Sequence, residues 1–305
     1  MHQYLRAIGF SEVKSRDVLH KIIGDAVQDA DRRVYTTDAT DGDQSFLAQF
    51  DRDFGSGIGL AVCGIMDEND HFIYEYYYPY LRGTGVSTAE MVEVERHAAQ
   101  DSYAGVCDDL RIGVTMIFYL QNKIPYLRAI GEGNFPQTGS TVTLSGLALS
   151  GTILMPLAKT SEQREDLRRR LLGRNQVIAA AKDGDEDAIE TLTLYDMDMY
   201  SAISKKARKA DIYTLVDTCF MPYGVECDQY SVLGEIVDFR TTTNFLTRER
   251  VVVLRLNCNE VYFDVAVAER DLYGEPAVGR RFKGNIWMQG FLNFPTQPSV
   301  IDISI

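Results

Sequence analysis

Three side chains in one stretch have the chemistry for catalysis: His97, Cys107 and Asp108, in the run Glu95-Arg96-His97 followed by Tyr103, Cys107, Asp108 and Asp109. A Cys–His pair with an orienting carboxylate is the minimum for thiol nucleophilic catalysis, because the imidazole lowers the thiol pKa and carries its proton. A loop between two strands is expected here, and it would fold Cys107 back toward His97. Against this, two aspartates beside a thiol raise its pKa, which is the wrong direction for activation. No motif of a known cysteine enzyme surrounds Cys107, and free cysteine is commonly a small buried hydrophobe. The structural reading of this stretch outweighs the catalytic one. Metal binding by His97 with Asp108 and Asp109 has no supporting ligand spacing, and neither metal nor cofactor is expected.

A second cluster, Arg280, Arg281 and Lys283 beside Phe282 and Trp287, is the best footprint for a ligand surface. Barrels of the OB kind hold single-stranded nucleic acid with aromatic rings and a basic groove. Yet residues 231–305 carry 8 basic and 9 acidic side chains, and Trp287 serves equally well as a core anchor. The glycines of Gly55-Ser56-Gly57-Ile58-Gly59 lead into a strand rather than a helix, so they do not make a dinucleotide site. Tyr74, Tyr76, Tyr77, Tyr78 and Tyr80 read as structural strand residues before they read as a stacking platform.

The elements that position these residues follow from pattern. Ser15 caps a helix whose stripe is Val18, Leu19, Ile22, Ile23, Ala26 and Val27. Strands are expected over 46–54, 57–66, 71–80, 112–120, 230–239, 251–256 and 261–267, with turns at Asp67-Glu68-Asn69-Asp70 and Asn257-Cys258-Asn259. From Phe282 the chain alternates, with Ile286, Met288, Leu292 and Phe294 on one face and Trp287, Gln289, Phe291 and Asn293 on the other. Gly279, Gly284 and Gly290 suit a strand that coils around a small barrel. Residues 160–210 read as a helical hairpin, capped at Thr160 and carrying Leu167, Leu171 and Ile178 on its buried stripe. Tyr4-Leu5-Arg6-Ala7-Ile8-Gly9 recurs as Tyr126-Leu127-Arg128-Ala129-Ile130-Gly131, with unmatched flanks, as chance or as a shared strand pattern.

The chain has 305 residues and a net charge of −13. Residues 1–155 hold 12 basic and 21 acidic side chains, which disfavours phosphate backbones and anionic membranes as general partners. Residues 133–158 carry no charge but are broken throughout by polar residues, so they read as strands and not as a membrane span. Five scattered cysteines without a C-x-x-C pair fit reduced thiols in a cytoplasm.

The runs Phe220-Met221-Pro222-Tyr223-Gly224-Val225-Glu226-Cys227, Tyr103-Ala104-Gly105-Val106-Cys107-Asp108-Asp109 and the strand from Gly279 to Gly290 resemble the domain of unknown function 3881 family, seen mainly in anaerobic Gram-positive bacteria. The resemblance covers nearly the whole chain and implies a bacterial cytoplasmic setting, with no activity, ligand or site attached. The expected architecture is α+β: an N-terminal mixed sheet domain (1–158), a helical connector (159–218) and a C-terminal small β-barrel (219–305), for which an OB-like form is one option. The expected function is non-catalytic, binding a protein partner or assembling as a homo-oligomer. An enzyme using His97, Cys107 and Asp108 is one alternative, and a single-strand binder using Arg280, Arg281, Lys283 and Trp287 is another.

Overall fold

A computed structural model describes residues 1–37, 46–96, 102–133, 139–157, 173–174, 176–181, 183–194, 197 and 216–295. It is an α+β structure in which sheet dominates. A short 3-10 helix (Gln3–Ile8) leads to α1 (Arg16–Gln28), where the Ser15 hydroxyl accepts from the Asp17 amide and so meets one of the four amides a helix start leaves open. Leu19, Ile22, Ile23 and Ala26, the inner part of the expected stripe, are buried.

Strands β1 (Arg32–Thr37), β2 (Phe46–Gly55), β3 (Ile58–Met66) and β4 (Phe72–Leu81) form an antiparallel meander. Helix α1 packs on β2 and β3. Successive strand residues point to opposite faces, so Leu47, Gln49 and Asp51 share the other face. There Leu47 joins the main core, and Gln49 reaches Gln121.

The larger sheet contains a closed barrel. Its five strands are β8 (Thr141–Leu154), β10 (Gln229–Thr243), β11 (Arg250–Cys258), β12 (Val261–Ala268) and β14 (Arg281–Asn293). The ring runs β8–β12–β11–β10–β14, and β14 pairs back to β8 from Arg281↔Leu154 to Asn293↔Thr141. The β8–β12 contact is parallel and the others are antiparallel. One staple of the ring therefore comes from residues 141–154, far ahead in sequence of its neighbours. The β11–β12 turn takes positive φ at Asn259 and Glu260 (52° and 66°), the twist a two-residue hairpin requires.

Leu144, Leu254, Phe263, Val265, Phe282 and Ile286 fill the barrel, and each buried side chain of this size stabilises by about 1.5–3 kcal/mol. A Cβ on Gly284 would lie 2.6 Å from the Phe282 ring, and one on Gly290 would lie 2.2 Å from Phe118. These glycines serve to admit rings beneath the coiling strand. Three further strands extend the sheet: β5 (Val92–Arg96), β6 (Tyr103–Asp109) and β7 (Val114–Leu120), the last joined to β14 by a short parallel contact. Two short strands, β9 (Cys219–Pro222) and β13 (Leu272–Tyr273), pair with β10 and β8.

Outside the barrel wall a second core forms from the 3-10 helix, β3, β4 and outward residues of the barrel such as Leu147, Val253 and Trp287. Both copies of the repeated hexapeptide are helical, in Gln3–Ile8 and in α2 (Lys123–Gly131), which corrects the shared-strand expectation. Tyr, Leu and Ala recur at helical spacing in both, and Tyr4, Leu5, Tyr126 and Leu127 are buried. Of the expected helical hairpin, 176–181 and 186–194 are helical, with a turn at Asp183 and Gly184, and Ile178 is buried. Thr160, Leu167 and Leu171 lie outside the described residues. Among the described residues no helix is long and apolar enough to cross a membrane.

Candidate functional site

Cys107 sits on strand β6, not in a loop, and pairs with Val92 of β5. Arg96, the last described residue before His97, pairs with Tyr103 at the other end of the same hairpin. Four residues of strand separate the two ends, about 13 Å. His97 itself lies outside the described residues. The Cys107 side chain is buried, and burial first, then the carboxylates of Asp109 and Glu90, pushes its thiol up to about 12. Asp108 faces solvent. Asp109 is buried, where the Arg111 guanidinium holds it from 2.5 Å and the Thr88 hydroxyl donates at 2.8 Å. Burial alone would raise the Asp109 carboxyl, but these hydrogen bonds outweigh it and hold it below the ordinary range. Arg111 also donates to the carbonyls of Glu260 and Ser87, so this pair ties β6 to the β11–β12 turn.

The second sequence candidate is similarly committed to structure. Arg281 is buried and donates to the carbonyls of Met155 and Val216, and burial lowers its pKa. Arg280 donates to the Glu275 carbonyl. Trp287 packs between His2, Tyr4 and Tyr119, with ring centroids 4.8–5.4 Å away, and its indole N–H donates to Asp228 at 2.6 Å. Lys283 lines a groove on the barrel wall with Tyr4, Tyr223 and Asn285.

Two arrangements escaped the sequence reading. The first is a surface projection between β9 and β10. Phe220 is its anchor, buried with its ring 4.4 Å from Tyr230. The next residues of the same strand and turn are displayed instead: Met221 is 53% exposed, Tyr223 47% and Val225 99%. Gly224 turns the chain with φ 76°, and Tyr223 N–H closes the loop on the Gln229 carbonyl. Carboxylates stand close by. Partial burial first, then Asp228, Glu226 and Glu95, raises the thiol of Cys227.

The second is a cavity of about 60 Å³ between the four-stranded sheet, α2 and β14, with polar side chains in its wall. Its wall includes Arg32, Gln49, Asp51, Tyr80, Arg82 and Phe291. Gln49 Nε2 reaches Asp51 Oδ1 at 2.8 Å, and the Tyr78 hydroxyl donates to the Gln121 carbonyl at 2.8 Å. Gln121 Nε2 donates to Gln289 Oε1 at 2.8 Å, and Gln289 Nε2 donates to the Pro79 carbonyl. The side chains thus brace one another across both sheets. Tyr80 donates to Asp53 at 2.6 Å and receives Arg82 Nη2 at 3.1 Å. That reach needs Gly59 between them, since a Cβ there would meet the Tyr80 hydroxyl oxygen at 2.3 Å. Burial raises the Asp51 carboxyl; the Gln49 hydrogen bond and the charges of Arg32 and Arg82 offset only part of it. Residues 32, 51, 82, 121 and 291 share no local spacing, which is why pattern gave no sign of the cavity.

Comparison with known proteins found one family. The model described as "Domain of unknown function, E. rectale Gene description (DUF3881)" matches residues 5–290. No curated protein and no solved structure matches.

Proposed function

The chain belongs to the DUF3881 family, and on that premise we propose that it is a non-catalytic protein of the bacterial cytoplasm that docks a basic protein partner. The projection at Met221, Tyr223 and Val225 is the observation that carries this reading. Large apolar side chains displayed together, bordered by charge, mark interaction surfaces more than ordinary solvent-facing loops. The bordering carboxylates, Glu95, Glu226 and Asp228, select a partner segment carrying lysine or arginine beside an apolar anchor. Strand β5 is the outer strand of its sheet and exposes Glu93 and Glu95. Like charges on an edge discourage pairing of two copies, so a different protein is favoured over self-assembly. The buried, protonated Cys107 thiol speaks against the enzyme alternative. Five free thiols fit a reducing compartment.

A photo-crosslinking residue at Val225, introduced in the living host, tests this. The expected result is one discrete adduct whose partner carries a basic, apolar segment. The purified partner should then bind about tenfold more weakly to Val225→Asp and to Glu226→Lys, as for a contact near an interface centre. An adduct with a second copy would replace the partner with self-assembly. No adduct, or affinity indifferent to both substitutions, would overturn the proposal.

A further inference from the structure

Asp51 lines the cavity between the sheets, and its two carboxyl oxygens have unequal surroundings. Oδ1 accepts from Gln49 Nε2 at 2.8 Å. Oδ2 accepts no hydrogen bond among the described residues, although the side chain is only 8% exposed. Arg32 Nη1 and Arg82 Nη2 both stand 3.9 Å from it. A charge-assisted hydrogen bond is about 2.7–2.9 Å long, so both guanidiniums face this carboxyl across a gap wider than a bond.

We propose that the cavity is a binding site for a small oxyanion, a carboxylate or a phosphate group, held by Arg32 and Arg82 beside the Asp51 carboxyl. One ligand oxygen seated to the side of this 3.9 Å span, at the apex of a triangle, comes within hydrogen-bond length of a guanidinium and of Asp51 Oδ2 together. The proton between that oxygen and Oδ2 makes the contact attractive, where two bare anions would repel. With Asp51 neutral, Arg32, Arg82 and Asp53 sum to one positive charge, which matches a monoanion. A volume of about 60 Å³ admits a carboxylate-sized group, since a single water needs only about 10–15 Å³ of such space. The remainder of a larger ligand leaves between the two arginines, whose side chains are 41% and 33% exposed. The hydrogen-bonded floor of Gln49, Tyr78 and Gln121 is already ordered, so binding costs little rearrangement.

Among the described residues the groups that face Asp51 are Arg32 from β1, Asp53 from its own strand, Tyr78 and Tyr80 from β4, and Arg82 beyond it; β3 contributes Ala61, which carries no charge. Both tyrosines are held protonated by burial. Asp53 is engaged by Arg82 at 3.1 Å and by Tyr80. Asp51 is therefore the group whose ionisation opposes the anion, and binding takes up one proton wherever free Asp51 is charged. This site lies apart from the projection at Val225 and does not depend on the docking proposal.

Calorimetric titration of the full chain with sodium acetate and with sodium phosphate tests it, acetate giving the pH dependence because it stays ionised between pH 5.5 and 7.5. Saturable binding of either anion is expected, and which one binds identifies the source. Acetate, if it binds, should bind more weakly at pH 7.5 than at pH 5.5, by up to about tenfold per pH unit. Arg32→Ala, at the solvent-facing start of β1 and checked for folding by circular dichroism, should lose at least about tenfold for the anion that binds. Asp51→Asn should retain binding and flatten any pH dependence of acetate. Neither anion saturating below about 10 mM, Arg32→Ala binding like the parent, or Asp51→Asn abolishing binding at both pH values would overturn the assignment.

Discussion

Alkylation of Cys107 separates a structural thiol from a catalytic one. Burial and the carboxylates of Asp109 and Glu90 push this thiol from the ordinary 9.0 to about 12. At pH 8 an ordinary thiol of pKa 9 is about one tenth thiolate, whereas one of pKa 12 is about one part in ten thousand. Ionisation alone therefore slows iodoacetamide by about a thousandfold, and enclosure in the core slows it further. Mass spectrometry of quenched time points gives the rate for each cysteine, with exposed Cys227 as internal comparison. Cys227 should label first, and Cys107 and Cys258, whose thiol burial also raises to about 12, should label only when the protein unfolds. His97→Ala should leave the Cys107 rate unchanged. Rapid labelling of Cys107 in the folded protein at pH 7, slowed by His97→Ala, would refute this reasoning and revive the thiol enzyme.

Asp51→Asn should raise the thermal midpoint at pH 7–8, because burial raises the folded pKa of Asp51 above the ordinary 3.8. The stability tied to its protonated form is complete below the unfolded value and is lost as pH rises through the folded one, so the gain should vanish toward pH 4. Asp109 has the opposite sign: its folded pKa is lowered, so its contribution is present above the ordinary carboxyl value and is lost as pH falls through the folded value. Asp109→Ala should cost about 1.5–3 kcal/mol in urea unfolding at pH 7, the worth of a charged hydrogen-bond partner, and progressively less as the pH falls below the ordinary carboxyl value. Gly59→Ala should cost about 1–3 kcal/mol, since its Cβ would meet the Arg52 carbonyl oxygen and the Tyr80 hydroxyl oxygen at 2.3 Å. An unchanged urea midpoint would mean that Tyr80 does not lie across β3.

The sequence by itself determined the local elements. Alternation and turn residues located β2, β3, β4, β7, β11, β12 and β14, and Ser15 marked the start of α1, because strand period, helix period and capping act over a few residues. It also determined that two aspartates beside Cys107 oppose thiolate formation. Tertiary structure decided what distance in sequence conceals. Strand β8 reads as a run of apolar pairs, but only its pairing with both β12 and β14 closes the barrel. The two hexapeptides carry the same letters, and burial of their shared helical face settled their conformation. In sequence Trp287 and Arg281 suit a ligand surface, and Trp287 a core anchor equally; packing encloses Trp287 among rings and sets Arg281 on two carbonyls. The Asp51 cavity joins residues 32, 51, 82, 121 and 291, and it exists because sheet, helix and barrel meet there. Their meeting removes water from Asp51, and that desolvation is a property of the assembled layers, absent from any stretch of the chain alone.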